Sequence, residues 1–177
     1  MEDWCDRTLQ MLATAMEKEE KGRDFYKDAV AKCTNELGKE MFLTLMGEEG
    51  IHIQRLKQIH EEINKGRVWS ENWKACRVEN EDLNKLVRDR ISKLGREVKA
   101  ESGDLEALEI GIQMEQGAIN FYEDQLGKAS EPLEKDFVKR MITEERKHFA
   151  ALEDLKLYFT NPESWYVEKE HHGLDGA

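Results

Sequence analysis

Apolar residues recur at intervals of three and four along four long stretches of this chain, the spacing that turns one face of an α-helix toward a core. The first stretch carries Leu9, Leu12, Met16, Tyr26, Val30 and Cys33, and the third copies it with Leu105, Leu108, Ile112, Ile119, Tyr122, Leu126 and Ala129. The second runs through Leu45, Leu56, Ile59 and Ile63, and the fourth through Met141, Leu152, Leu155 and Phe159. Helices are predicted near residues 6–34, 37–65, 104–129 and 132–159. Asn35 with Gly38, and Ser130-Glu131-Pro132, supply short turns, so each consecutive pair folds back as an antiparallel hairpin. Pro132 suits the first turn of its helix, where the missing N–H costs least. The expected fold class is all-α, a four-helix bundle of two hairpins.

Residues 66–103 separate the hairpins and form a long crossover. They open with Gly66 and a Trp69/Trp73 pair, which suits either a dimer surface or the cover of a bundle end. Leu83, Leu86, Val87, Ile91, Leu94 and Val98 then predict one further amphipathic helix of roughly 18 residues. One bundle domain over 1–160 and a polar tail over 161–177, partly ordered through Trp165 and Tyr166, complete the expected organisation.

Four acidic residues break the apolar rhythm, and they do so twice over. Glu19, Tyr26, Glu49 and His52 return 96 residues later as Glu115, Tyr122, Glu145 and His148. In each copy the lone Glu precedes the Glu of an E-x-x-H pair by 30 residues, with no gap needed. Glu19, Glu49, Glu115 and Glu145 fall where a core helix calls for Leu or Ile. An ionised carboxylate there is strongly unfavourable, and four in one layer also repel each other. Two divalent cations neutralise them, and two imidazoles complete the coordination without added charge. Residues three apart on a helix differ by about 60° in direction, so Glu49 with His52, and Glu145 with His148, can each reach one metal. The spacing therefore predicts a dinuclear site. Glu49 and Glu145 bridge, Glu19 and Glu115 are terminal ligands, and His52 and His148 serve one metal each. Tyr26 and Tyr122, seven residues after their glutamates on the same face, are expected to orient carboxylates. Carboxylate and imidazole ligation suits iron or manganese; zinc can occupy such a site.

Composition narrows the field. Acidic residues outnumber basic ones, 38 to 27, and the net charge of −11 gives little to hold a nucleic acid or an anionic membrane. Cys5, Cys33 and Cys76 form no C-x-x-C motif and no disulfide framework, and Cys33 reads as a small core residue. No signal peptide or long apolar run is seen, which predicts a soluble, cytoplasmic protein. Glu20, Glu48 and Glu144 sit beside expected ligands and are assigned to solvated helix faces. The His171-His172 pair in the tail is expected to be inert.

The runs MEKEEKGRDFY and MEQGAINFY, with EEGIH and EERKH, resemble the rubrerythrin family of the ferritin-like superfamily, over about residues 7–160. The resemblance implies a non-haem di-iron bundle that reduces hydrogen peroxide or dioxygen, and Glu19, Glu49, His52, Glu115, Glu145 and His148 match its ligand positions. Full-length members carry a rubredoxin module with two C-x-x-C pairs, which has no counterpart here. Electrons are therefore expected from a separate small redox protein, rubredoxin-like or a flavoprotein. An additional Glu that the family often bears on the third helix is replaced by Ala118, whose counterpart in the first copy is Gly22. Six-ligand chemistry follows, and a homodimer is expected. A ferritin-type ferroxidase or storage subunit and a non-catalytic helical module are the competing functions.

Overall fold

The computed structural model describes residues 4–78 and 82–174, with side chains through Lys169; those of His171 and His172 lie outside the described residues. In chain order the helices are α1 (Trp4–Lys32), α2 (Glu36–Gly66), α3 (Leu83–Leu94), α4 (Ser102–Lys128), α5 (Pro132–Thr160) and α6 (Pro162–Leu174), with a 3-10 turn at Asn72–Ala75. The four long helices lie within about two residues of their expected ends. α1 packs along α2 and α4 along α5, giving two antiparallel hairpins, and α1 also meets α4. Asn35 caps α2, its Oδ1 accepting from the Gly38 amide at 3.0 Å. No helix among the described residues is long and apolar enough to cross a membrane.

The crossover helix is shorter than its apolar pattern suggests. α3 has 12 residues because Gly95, at φ 77°, ends it just after Leu94. Trp69 and Trp73 are buried against Phe137, with ring centroids 5.9 and 5.3 Å away, so the pair covers one end of the bundle. The tail is helical: Asn161 Oδ1 accepts from the Ser164 amide at 3.1 Å, and Trp165 packs on Tyr158 while donating to Asp154.

Equivalent polar clasps hold the two hairpins together at their ends. Thr34 donates from its amide and hydroxyl to Asp104 at 2.8 and 2.7 Å. At the other end Thr8 and the Ser130 amide both donate to Glu134 at 3.1 Å. Thr8 and Asp104, like Thr34 and Ser130, are related by the 96-residue shift, so the repeat folds as a pseudo-two-fold. Two apolar clusters fill the ends of the interior, one around Phe42, Leu152 and Leu155 and the other around Leu12, Leu56 and Met141. A polar layer lies between them.

Candidate metal centre

Each long helix contributes to that layer. α1 brings Glu19, α2 brings Glu49 and His52, α4 brings Glu115, and α5 brings Glu145 and His148; all six side chains are buried. They form two groups, Glu19, Glu49, His52 and Glu145, and Glu49, Glu115, Glu145 and His148. Within each group the potential ligand atoms lie within 4.8 Å of one another. Glu49 and Glu145 belong to both.

The fit to cations is visible in what remains unpaired. Both Glu145 oxygens and His148 Nδ1 are buried without a hydrogen-bond partner. Such orphaned atoms are rare in native interiors and call for an occupant. His52 Nδ1 stands 3.1 Å from Glu145, and His148 Nδ1 stands 3.3 Å from it. The donor set is oxygen and imidazole nitrogen without thiolate, which suits iron or manganese.

The surrounding contacts cross between the hairpins. Tyr26 on α1 donates its hydroxyl to Glu115 on α4, and Tyr122 on α4 donates to Glu19 on α1. His52 Nε2 faces Glu144 at 3.0 Å, and His148 Nε2 faces Glu48 at 2.8 Å. This corrects the assignment of Glu48 and Glu144 to solvated faces: both are buried. Each points toward the histidine of the opposite hairpin. Their detectable signal was the repetition of a Glu-Glu doublet, Glu48-Glu49 and Glu144-Glu145, at the same 96-residue shift. Glu20 remains half-exposed beside Lys57, as expected. Arg55, which sequence reasoning did not single out, is also buried and bonds to Glu144 and to the Cys76 carbonyl.

Without metal, protons balance the layer. Burial, then the charges of Glu145 and Glu49, push the Glu19 carboxyl well above its ordinary range. Burial raises Glu115 to about 8, against the pull of His148. Burial opposes ionisation of Glu49 and Glu145 as well. Contacts with Glu19, His148 and His52 nevertheless hold Glu49 down to about 2, and the two imidazoles hold Glu145 low. Burial alone would depress both histidines, but Glu145 and Glu144 around His52, and Glu115 and Glu145 around His148, raise them well above normal. Two neutral carboxyls, two carboxylates and two imidazoliums give a neutral layer, the same balance that two divalent cations would give with everything deprotonated.

A cavity of about 210 Å³ reaches this layer between α1 and α4, bounded by Gly22, Met114, Gly117 and Ala118 and reaching Glu49 and Glu145. A Cβ at Gly22 would lie 3.6 Å from the Glu49 carboxyl carbon, so the small residues at 22 and 118 leave the approach to the carboxylates open.

The rubrerythrin family model matches residues 10–156, most of the chain and all of the residues above. The chain belongs to the rubrerythrin family. Its all-α, ferritin-like bundle and its paired carboxylate and histidine groups fit a di-iron protein. Searches of curated proteins and of solved structures return no match. Within this rubrerythrin-family fold, Gly22 and Ala118 keep the site to six candidate ligands, because neither side chain can coordinate.

Proposed function

We propose that this rubrerythrin-family protein is a non-haem di-iron oxidoreductase that reduces hydrogen peroxide with electrons from a separate redox protein. The carrying observation is Glu145. Its two oxygens are buried and unbonded, one facing each imidazole. A carboxylate so placed suits a bridge between two cations, and Glu49, common to both groups, suits the second bridge. Glu19 and His52 would complete one metal position, Glu115 and His148 the other. Bound iron supplies the electrons and Lewis acidity for cleaving an O–O bond.

The remaining work belongs to the chain's own groups. With metal bound, His52 and His148 would donate Nε2–H to Glu144 and Glu48, leaving each deprotonated Nδ1 aimed inward. Tyr26 and Tyr122 hold Oε1 of Glu115 and of Glu19, while Glu19 Oε2 faces His52 Nδ1 at 3.2 Å. Their phenolic protons stay in place, because burial and the adjacent carboxylates raise both phenols well above their ordinary pKa. The cavity beside Gly22 and Ala118 admits a molecule the size of peroxide.

Stopped-flow oxidation of reduced, iron-loaded protein by peroxide tests the reading. Oxidation should be much faster than for free ferrous ion and should be lost in Glu145→Ala. Equal rates for protein and free ion would remove the enzymatic role.

A further inference from the structure

The 96-residue repeat duplicates the ligands, the tyrosines and the outer glutamates, but the charge outside them differs between the two sides. Behind His52 opens a cleft of about 470 Å³ between α2, the crossover and α5, lined by Arg55, Lys74, Arg77, Lys139 and Arg140, with Trp73 and one acid, Asp136. Five cations against one anion is a marked local reversal in a chain of net charge −11. Behind His148, the repeat places Ala151 for Arg55, Thr44 for Arg140, Leu43 for Lys139 and Glu40 for Asp136. Glu48 there keeps one buried oxygen without a partner. The crossover residues Lys74 and Arg77 lie between the two repeats, and the corresponding surface at Glu40 and Leu43 carries Lys39, Arg90 and Lys93 against Glu36 and Glu40, so among the described residues the positive excess is larger on the His52 side.

The floor of this cleft touches the candidate centre. Arg55 bonds to Glu144 at 2.5 Å, and Glu144 meets His52 Nε2 at 3.0 Å, so two contacts separate the cleft floor from an inward-facing imidazole. At the rim, Arg77 and Lys139 are exposed. A positive rim on a net-negative body steers an acidic partner toward itself.

We propose that this cleft is the docking surface for an acidic one-electron carrier protein, and that electrons enter from the His52 side. The inference rests on the oxidoreductase reading given above. The carrier's redox group loses one electron per encounter, and two encounters supply the two electrons that, with two protons, convert one hydrogen peroxide to two waters.

Reduced rubredoxin, a small acidic iron–sulfur protein, is the probe. Its binding to the zinc-loaded protein is followed by NMR line broadening, and its oxidation by the iron-loaded ferric protein by stopped flow. The double reversal Arg77→Glu/Lys139→Glu changes exposed rim residues only. It should abolish the line broadening and lower the second-order rate at low salt at least about tenfold, with the difference vanishing at high salt. The control Arg88→Glu/Lys93→Glu on α3, an equal change in charge at the opposite end of the bundle, should alter the rate less than about threefold. Equal losses in both variants, or a loss in neither, would overturn the docking surface. The peroxide reaction of dithionite-reduced protein reads the oxidoreductase proposal separately. If that reaction fails while rubredoxin still binds at the rim, the docking surface stands and the proposed function falls.

Discussion

The Arg55 guanidinium lies 2.5 Å from the Glu144 carboxylate, and both groups are sealed from solvent on one side of the bundle. Removing one partner of such a pair leaves the other as an uncompensated buried charge, at roughly 3–5 kcal/mol. Arg140, half-exposed, still holds one Glu144 oxygen at 2.5 Å, which places Arg55→Met at the lower end of that range. Urea unfolding of metal-free protein at neutral pH measures the cost. The double variant Arg55→Met/Glu144→Gln should recover most of it, since neither charge then remains. A single variant costing under ~1 kcal/mol would show that the pair contributes little to the fold.

The ligands were legible in the sequence because a carboxylate within a three-four apolar rhythm conflicts with its surroundings, and here the conflict repeats. Glu48 and Glu144 were not, because their partners are histidines on the opposite hairpin, 100 and 92 residues away. Helical periodicity describes one helix at a time and is blind to such crossings. Arg55 was missed for a related reason: its burial depends on a carboxylate supplied by α5 and a carbonyl supplied by the crossover. The length of α3 was overestimated because Val98 continued the apolar spacing past Gly95, whose positive φ stops the helix.

The crossed tyrosine bonds make the two metal positions separable. Tyr122 steadies Glu19, which belongs with His52, whereas Tyr26 steadies Glu115, which belongs with His148. Tyr122→Phe should therefore weaken metal binding in the first group and Tyr26→Phe in the second, each by roughly 10–100-fold at one position only. Chelator competition on cobalt-loaded protein, with the visible bands of two sites resolved, checks this. Uniform loss from both positions in either variant would contradict the crossed arrangement.

Metal-free protein should lose stability as pH rises. The raised pKa values of His52, His148, Glu19 and Glu115 mean that the folded state binds protons more tightly than the unfolded chain does. That stabilisation is complete below the unfolded values, about 4.5 for the carboxyls and 6.5 for the imidazoles. It drains away as pH rises through the folded values, with Glu115 contributing up to about 8. Glu49 acts in the opposite sense, and its contribution is lost as pH falls from about 4.5 toward about 2. Melting curves should place the optimum of the apo protein on the acid side of neutrality, with lower stability at pH 8.5 than at pH 6. Loading two divalent ions at pH 7 should release about four protons, from Glu19, Glu115 and the two imidazoles. Calorimetry in buffers of different ionisation heat counts them, and release of one proton or fewer would show that the layer is already deprotonated.

The cavity beside Ala118 sets up the last test, because access and metal content can be separated there. Ala118 is half-buried at the wall of a space of about 210 Å³ that reaches Glu49 and Glu145. Ala118→Leu adds three carbons to that wall without removing a candidate ligand, so iron content should stay at two per chain. Peroxide oxidation of the reduced protein should slow at least about tenfold, since the oxidant loses its route to the carboxylates. Gly22→Ala is the companion variant. Its added Cβ meets the Glu49 carboxyl carbon at 3.6 Å, an ordinary contact, and replacing a mid-helix glycine should stabilise α1 by up to about 1 kcal/mol. A small change at position 22 should therefore leave the rate nearly unaltered while raising Tm, whereas the larger one at 118 should lower the rate with Tm little changed. Unimpaired peroxide oxidation in Ala118→Leu would mean that the oxidant reaches the layer by another path.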